Sequence, residues 1–158
     1  MIYLDHAAAT PLDERVLAAM QPYFSDSFFN PSSPYAPAVE VRRAYDAAKA
    51  RIAQAIGGKG SDITITAGAT ESINIMFASC RGHVVTSSIE HHAVLEAAKR
   101  HDYTLVVPNN KGYISAASIQ AAIRPDTELV SIQLANNELG TVQPLRDIAQ
   151  VVRAERHR

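Results

Sequence analysis

The sequence predicts an α/β fold in which a mainly parallel sheet is flanked by helices. Short apolar segments suited to strands recur at Asp62–Thr66, Val84–Ile89, Thr104–Val107 and Leu129–Leu134. Between and after them lie segments suited to helices, at Thr70–Ser79, His91–Arg100, Ser115–Ile123 and from Pro144 onward. Strand, helix and strand in repetition require crossover connections, which place neighbouring strands parallel under a cover of helices.

Two helices precede this alternation. Thr10-Pro11 suits an N-cap followed by proline at the first helical position, with Asp13 in the first turn. Val16, Leu17, Met20, Tyr23 and Phe24 then recur at helical spacing. The stretch Phe28-Phe29-Asn30-Pro31-Ser32-Ser33-Pro34 is dense in turn residues and reads as a loop. A second helix sets Val41, Tyr45, Ala48, Ile52 and Ile56 on one face and ends at Gly57-Gly58, because glycine accepts the left-handed closing turn. In the last helix Leu145, Ile148, Ala149 and Val152 form the buried stripe. The chain closes on a charged helical run, Arg153 to Arg158, where a further strand is expected.

Composition narrows the function classes. The 158 residues are 47% hydrophobic and 20% charged, with a formal net charge of -1. These values suit a soluble globular protein, expected in the cytoplasm. Acidic and basic residues are interspersed, so nucleic acid and anionic membrane are not expected as partners. No apolar run approaches the ~20 residues of a membrane span. A lone cysteine, Cys80, excludes an internal disulfide framework and a multi-thiolate zinc site. It reads as a small packed hydrophobe.

Three segments can carry chemistry. At the predicted strand-to-helix turn, Ile65-Thr66-Ala67-Gly68-Ala69-Thr70-Glu71-Ser72 combines small residues with hydroxyls, which suits a phosphate cup at a helix N-terminus. The same residues suit an ordinary helix start with Thr70 as N-cap. Glu90-His91-His92 follows a predicted strand, at the sheet edge where α/β ligands bind. An imidazole there stacks on a planar ring or moves protons, and two histidines opening a helix are the plainer reading. Adjacent histidines on a helix diverge by about 100°, so no metal site is expected. Ala135-Asn136-Asn137-Glu138-Leu139-Gly140 also follows a strand; an asparagine amide can orient a polar ligand, and a plain turn has the same composition.

Five motifs then share one order: Tyr3-Leu4-Asp5-His6-Ala7-Ala8-Ala9-Thr10-Pro11, Asn30-Pro31-Ser32-Ser33, Gly68-Ala69-Thr70-Glu71-Ser72, Glu90-His91-His92-Ala93-Val94-Leu95, and Asn136-Asn137-Glu138-Leu139-Gly140-Thr141-Val142-Gln143-Pro144. Together they resemble the class V family of pyridoxal-5'-phosphate (PLP) enzymes. The Asn-Pro-Ser-Ser loop is similar to that of the NifS/IscS cysteine desulfurases rather than the SufS branch. The resemblance implies an incomplete PLP fold type I large domain at residues 61–158, behind an N-terminal helical segment at residues 1–60. It implies that Ala69 and Thr70 hold the cofactor phosphate. His91 is then a catalytic residue over the pyridine ring, and Asn137 approaches the phenolic oxygen or the substrate carboxylate. Family members take sulfur from L-cysteine, giving L-alanine and a persulfide for scaffold or thiolation proteins. Alternatives are another class V enzyme, such as an aminotransferase or selenocysteine lyase, and a non-catalytic remnant or interaction module.

The sequence departs from the family pattern in several places. Tyr35 and Ala36-Pro37 replace a usual histidine and glycine, and the stretch from Met76 to Gly82 is short. The family's aspartate, glutamine, Schiff-base lysine and catalytic-cysteine loop have no match; Lys49, Lys59, Lys99 and Lys111 lie outside any such motif. No desulfurase turnover is therefore expected of these residues alone. The resemblance also implies that Asp62–Thr66 cannot join Val84–Ile89 without further strands. A homodimer, or a complementary chain supplying strands, is the expected assembly.

Overall fold

Asp13 starts the first helix. In the computed structural model, which describes residues 2–155, its carboxylate accepts from the Arg15 amide at 2.8 Å and caps α1, Glu14–Met20. The cap therefore falls three residues after Thr10, because Asp13 reaches the free amides of the first turn. Pro22 cannot donate a helical hydrogen bond, so it opens a separate short helix, α2, Pro22–Ser25. In the loop that follows, Asn30 Oδ1 accepts from the Ser32 amide at 2.9 Å and closes the Asn-Pro-Ser-Ser turn locally.

The chain divides into two compact units between Ile65 and Thr66. In the first, α3 spans Ala36–Ala55. It ends as expected: Gly57 takes φ +74°, its amide bonds Gln54 O, and the Gly58 amide bonds Ala53 O at 2.8 Å. These are the two bonds of a Schellman closure. Ala38 and Ala53 are buried, whereas Tyr45, Ile52 and Ile56 remain exposed. Val16, Leu17, Met20, Tyr23 and Phe24 are exposed too.

Residues 62–66 do not form the expected strand. A 3-10 turn occupies Gly60–Asp62, and residues 63–66 take no place in the sheet. An extended segment becomes a strand only when a neighbour accepts its backbone hydrogen bonds.

The second unit holds a three-stranded parallel sheet in the order β2-β1-β3. β1, His83–Ser87, is central and buried along its length. β2 spans Tyr103–Val106 and β3 Thr127–Ser131. Successive side chains of β1 face opposite layers. Val84 packs with Phe77, Val94, Ala97 and Ala98, from α4 (Ala69–Ala78) and α5 (His92–Ala98). Val85 packs with Val106, Ile114, Ile119 and Ile148 on the other face, where α6 (Ala116–Ala122) and α7 (Leu145–Glu155) lie. Ser115 caps α6 by accepting from Ser118 N at 3.0 Å. Among the described residues, the three strands and four helices of this unit thus fall where the sequence predicts them, within a few residues. The predicted terminal run reaches Glu155, and its last three residues lie outside those described.

β1 and β3 end earlier than predicted for an electrostatic reason. Ser87 Oγ donates to Glu90 Oε1 at 2.6 Å, turning the chain out of β1. The Gln133 amide leaves the ladder to donate to both oxygens of Glu90, at 3.1 Å each. Among the described residues no helix is long and apolar enough to cross a membrane.

Candidate functional site

The start of α4 has the electronic character the sequence suggests. Its N-cap is Gly68, which offers no side-chain cap, so Thr70 is not the capping residue. The first helical bond runs from Ser72 N to Gly68 O at 3.1 Å. The amides of Ala69, Thr70 and Glu71 precede it and meet no acceptor among the described residues. The hydroxyls are partly spoken for: Ser72 Oγ sits 2.7 Å from Thr66 Oγ1. Glu71 turns back to accept from Ala67 N at 2.6 Å. A β-carbon built on Gly68 would meet nothing within 4 Å, so the approach to these amides is open. Free donors at the positive end of a helix dipole suit a phosphate dianion.

His91 sits at the N-cap of α5 and is exposed. Its Nδ1 accepts from Ala93 N at 3.1 Å. In the neutral ring the proton therefore resides on Nε2, which is left as an outward donor. The helix-opening role and a ligand-facing role are thus compatible in one side chain.

Asn137 lies beyond β3 and is also exposed, whereas its neighbour Asn136 is buried. Asn136 Nδ2 donates to the Ile89 carbonyl at 2.8 Å, and Gln133 Nε2 donates to the same oxygen at 2.6 Å. The loops bearing His91 and Asn137 are joined directly in this way. Ala69 and Thr70 connect to them through α4, which packs on α5 through Phe77 and is bonded to the residues after α5 by Asn74: its Nδ2 donates to Thr70 O at 2.7 Å and its Oδ1 accepts from Arg100 Nη2 at 2.5 Å.

Glu90 completes the join. It is only 7% exposed, and burial pushes its carboxyl pKa up, against the opposing bonds from Ser87 and Gln133. Gln143, also buried, accepts from Ile114 N at 2.8 Å and donates to Gly112 O at 2.9 Å, tying the loop after β2 to the same motif. The sequence offers a hint of these supporting residues in the amide-rich run Gln133, Asn136, Asn137. Which amides turn inward is decided by contacts more than 40 positions away in the chain.

Two cavities among the described residues lie elsewhere. One of about 660 Å3 flanks the start of β3 between Pro125 and Val152. Another of about 370 Å3 is formed by residues 108–112 with Leu139 and Thr141.

Comparison with known families decides the kinship. The aminotransferase class-V model matches residues 2–157. The chain belongs to the aminotransferase class-V family. Its relatives in this family include IscS 1 of Bacillus subtilis, 41% identical over 96% of this chain and 43% of the relative. Cysteine desulfurase IscS of Dictyoglomus turgidum is 39% identical over 96% of this chain and 42% of its own length. A solved structure of SspA in complex with cysteine superposes with TM-score 0.92 at 40% identity, covering 98% of this chain and 48% of SspA. A NifS-like protein follows with TM-score 0.90 at 32% identity, over 99% and 46%. The chain thus spans less than half the length of these class-V relatives, and it shares the PLP fold type I architecture over that span.

Proposed function

We propose that this chain is the phosphate- and ring-binding portion of a PLP-dependent cysteine desulfurase, with Ala69, Thr70, His91 and Asn137 at the cofactor. The observation that carries this is the uncapped start of α4, where Ala69 and Thr70 present free amides beside a small-residue turn. Those amides bind the phosphate. His91 Nε2 holds or moves a proton at the ring face, and the Asn137 amide orients a polar group of cofactor or substrate. When bound, PLP supplies the electron sink for chemistry at the amino-acid α-carbon.

The residues present fit the phosphate and one face of the ring, and none of Lys49, Lys59, Lys99 and Lys111 lies in a motif that matches the family's Schiff-base lysine. Lys99 is engaged by Glu96 on α5, and Lys49 lies over the Tyr45 ring. Turnover of L-cysteine and delivery of sulfur to an acceptor protein are therefore assigned to the completed fold. Completion by further polypeptide, as a homodimer or with a complementary chain in the cytoplasm, accords with the open outer edges of β2 and β3 and the exposed apolar residues of α1 and α3.

The test is phosphorus NMR of PLP titrated with the full chain, alongside absorbance titrations with PLP and with pyridoxal. A shifted phosphate resonance, with PLP retained and pyridoxal not, supports the reading. Equal, weak binding of both compounds points instead to a remnant without a working phosphate cup.

A further inference from the structure

The two asparagines of the Asn136-Asn137 pair point to different environments. Asn137 is exposed, while Asn136 is 7% exposed and every polar atom of its side chain is used. Its Oδ1 accepts from Glu138 N at 2.8 Å and Leu139 N at 2.7 Å, closing its own turn. Its Nδ2 donates to Ile89 O at 2.8 Å, across to the loop that carries His91. The β1–β3 ladder stops at the Thr86–Ser131 pair, so strand pairing no longer holds the chain at these positions.

We propose that Asn136 is a positioning residue that fixes the separation between His91 and Asn137, with Gln133 and Glu90 as its supports. The route from His91 to Asn137 runs through Glu90, the Ile89 carbonyl, one hydrogen bond and Asn136. Ile89 O is doubly bound, by Asn136 and by Gln133. Glu90 holds Gln133 in turn through the Gln133 amide. A ligand that touches both exposed side chains meets them at a preset distance, which lowers the ordering cost of binding. The ligand part of this inference rests on the cofactor reading above; the positioning part does not.

The chemistry of the amide supplies a clean test. Asn136→Asp keeps an oxygen acceptor for the Glu138 and Leu139 amides, so the turn stays closed. The second oxygen then faces the Ile89 carbonyl, and at neutral pH it has no proton to donate. Nuclear magnetic resonance of the full chain follows the His91 Cε1 proton, the Asn137 side-chain amide, and exchange protection at Glu138 and Leu139. PLP affinity is measured in parallel. Expected are moved His91 and Asn137 resonances, retained protection at Glu138 and Leu139, and PLP affinity weakened by roughly tenfold. Unmoved resonances overturn the proposal. Loss of protection at Glu138 and Leu139 also overturns it, since Asn136 would then serve only its own turn. Should the native chain bind no PLP, the cofactor reading fails, and the resonances alone decide the positioning role. Gln133→Leu, which removes one donor to Ile89 O without touching the turn, is expected to move the same two resonances to a smaller degree; if it leaves them still, the support role of Gln133 is rejected.

Discussion

Gly82 lies so close to Asp126 that a β-carbon on it would stand 2.5 Å from the Asp126 carbonyl oxygen. The same oxygen accepts from His83 N at 2.9 Å, and the β1–β3 register slips just after this point, leaving Glu128 as an extra residue. The irregularity turns the Glu128 carboxylate back onto the Arg81 amide at 2.7 Å. Gly82→Ala is expected to destabilise the chain by about 1–3 kcal/mol through backbone displacement. Urea unfolding of the two proteins measures this, and an unchanged midpoint would reject the close approach.

Glu90 supplies a pH dependence. Burial raises its carboxyl pKa above the usual 4.5, despite the bonds from Ser87 and Gln133. The folded chain therefore holds this proton more tightly than the unfolded chain. The stabilisation is complete below the unfolded value and is lost as pH climbs through the raised one. Glu90→Gln keeps an acceptor for Ser87 and cannot ionise. Its stability relative to the native chain is expected to rise as pH climbs from below the usual carboxyl value through the raised one. Denaturation at both ends of that range checks the sign, and a difference that stays flat contradicts it.

His83 staples the three strands at the opposite end of the sheet. It is buried, with Nδ1 2.7 Å from Thr127 Oγ1 and Nε2 2.9 Å from Thr104 Oγ1. Thr127 Oγ1 also accepts from Arg124 N at 2.8 Å. His83→Leu is expected to cost about 1–3 kcal/mol, since it removes one hydrogen-bond partner from each of two hydroxyls. A double-mutant cycle with Thr104→Val should show coupling of about 0.5–1.5 kcal/mol, and additive effects would deny that the pair interacts.

The phosphate cup is testable with one proline. Ala69 is the first residue of α4, and Gly68 before it is extended, at φ 165° and ψ 176°. Proline is tolerated at this position, and its predecessor already has the conformation it requires. Ala69→Pro removes one amide donor without breaking a helical bond. Thermal unfolding should move little, while PLP affinity should fall by about 10- to 100-fold, the worth of a hydrogen bond to a charged group. Unchanged affinity would mean that the Ala69 amide does not hold the phosphate.

Much of this was legible in the residues themselves, because it depends on neighbours in sequence. The closure of α3 at Gly57-Gly58, the Ser115 cap and the alternation of strands and helices each follow from a few adjacent residues. Five ordered motifs likewise point to the class-V family without coordinates. A local signal also misled at the first helix, where Thr10 reads as the N-cap and Asp13, expected inside the first turn, caps the helix instead.

Tertiary structure decided the rest. The order β2-β1-β3, the exclusion of residues 63–66 from the sheet and the inward turn of Asn136 all rest on partners far along the chain. A residue pattern states which face of an element is apolar; it does not state which distant carbonyl lies within hydrogen-bond range. Buried polar groups must find partners, and only the folded chain shows that Asn136 finds Ile89 while Asn137 is left facing outward.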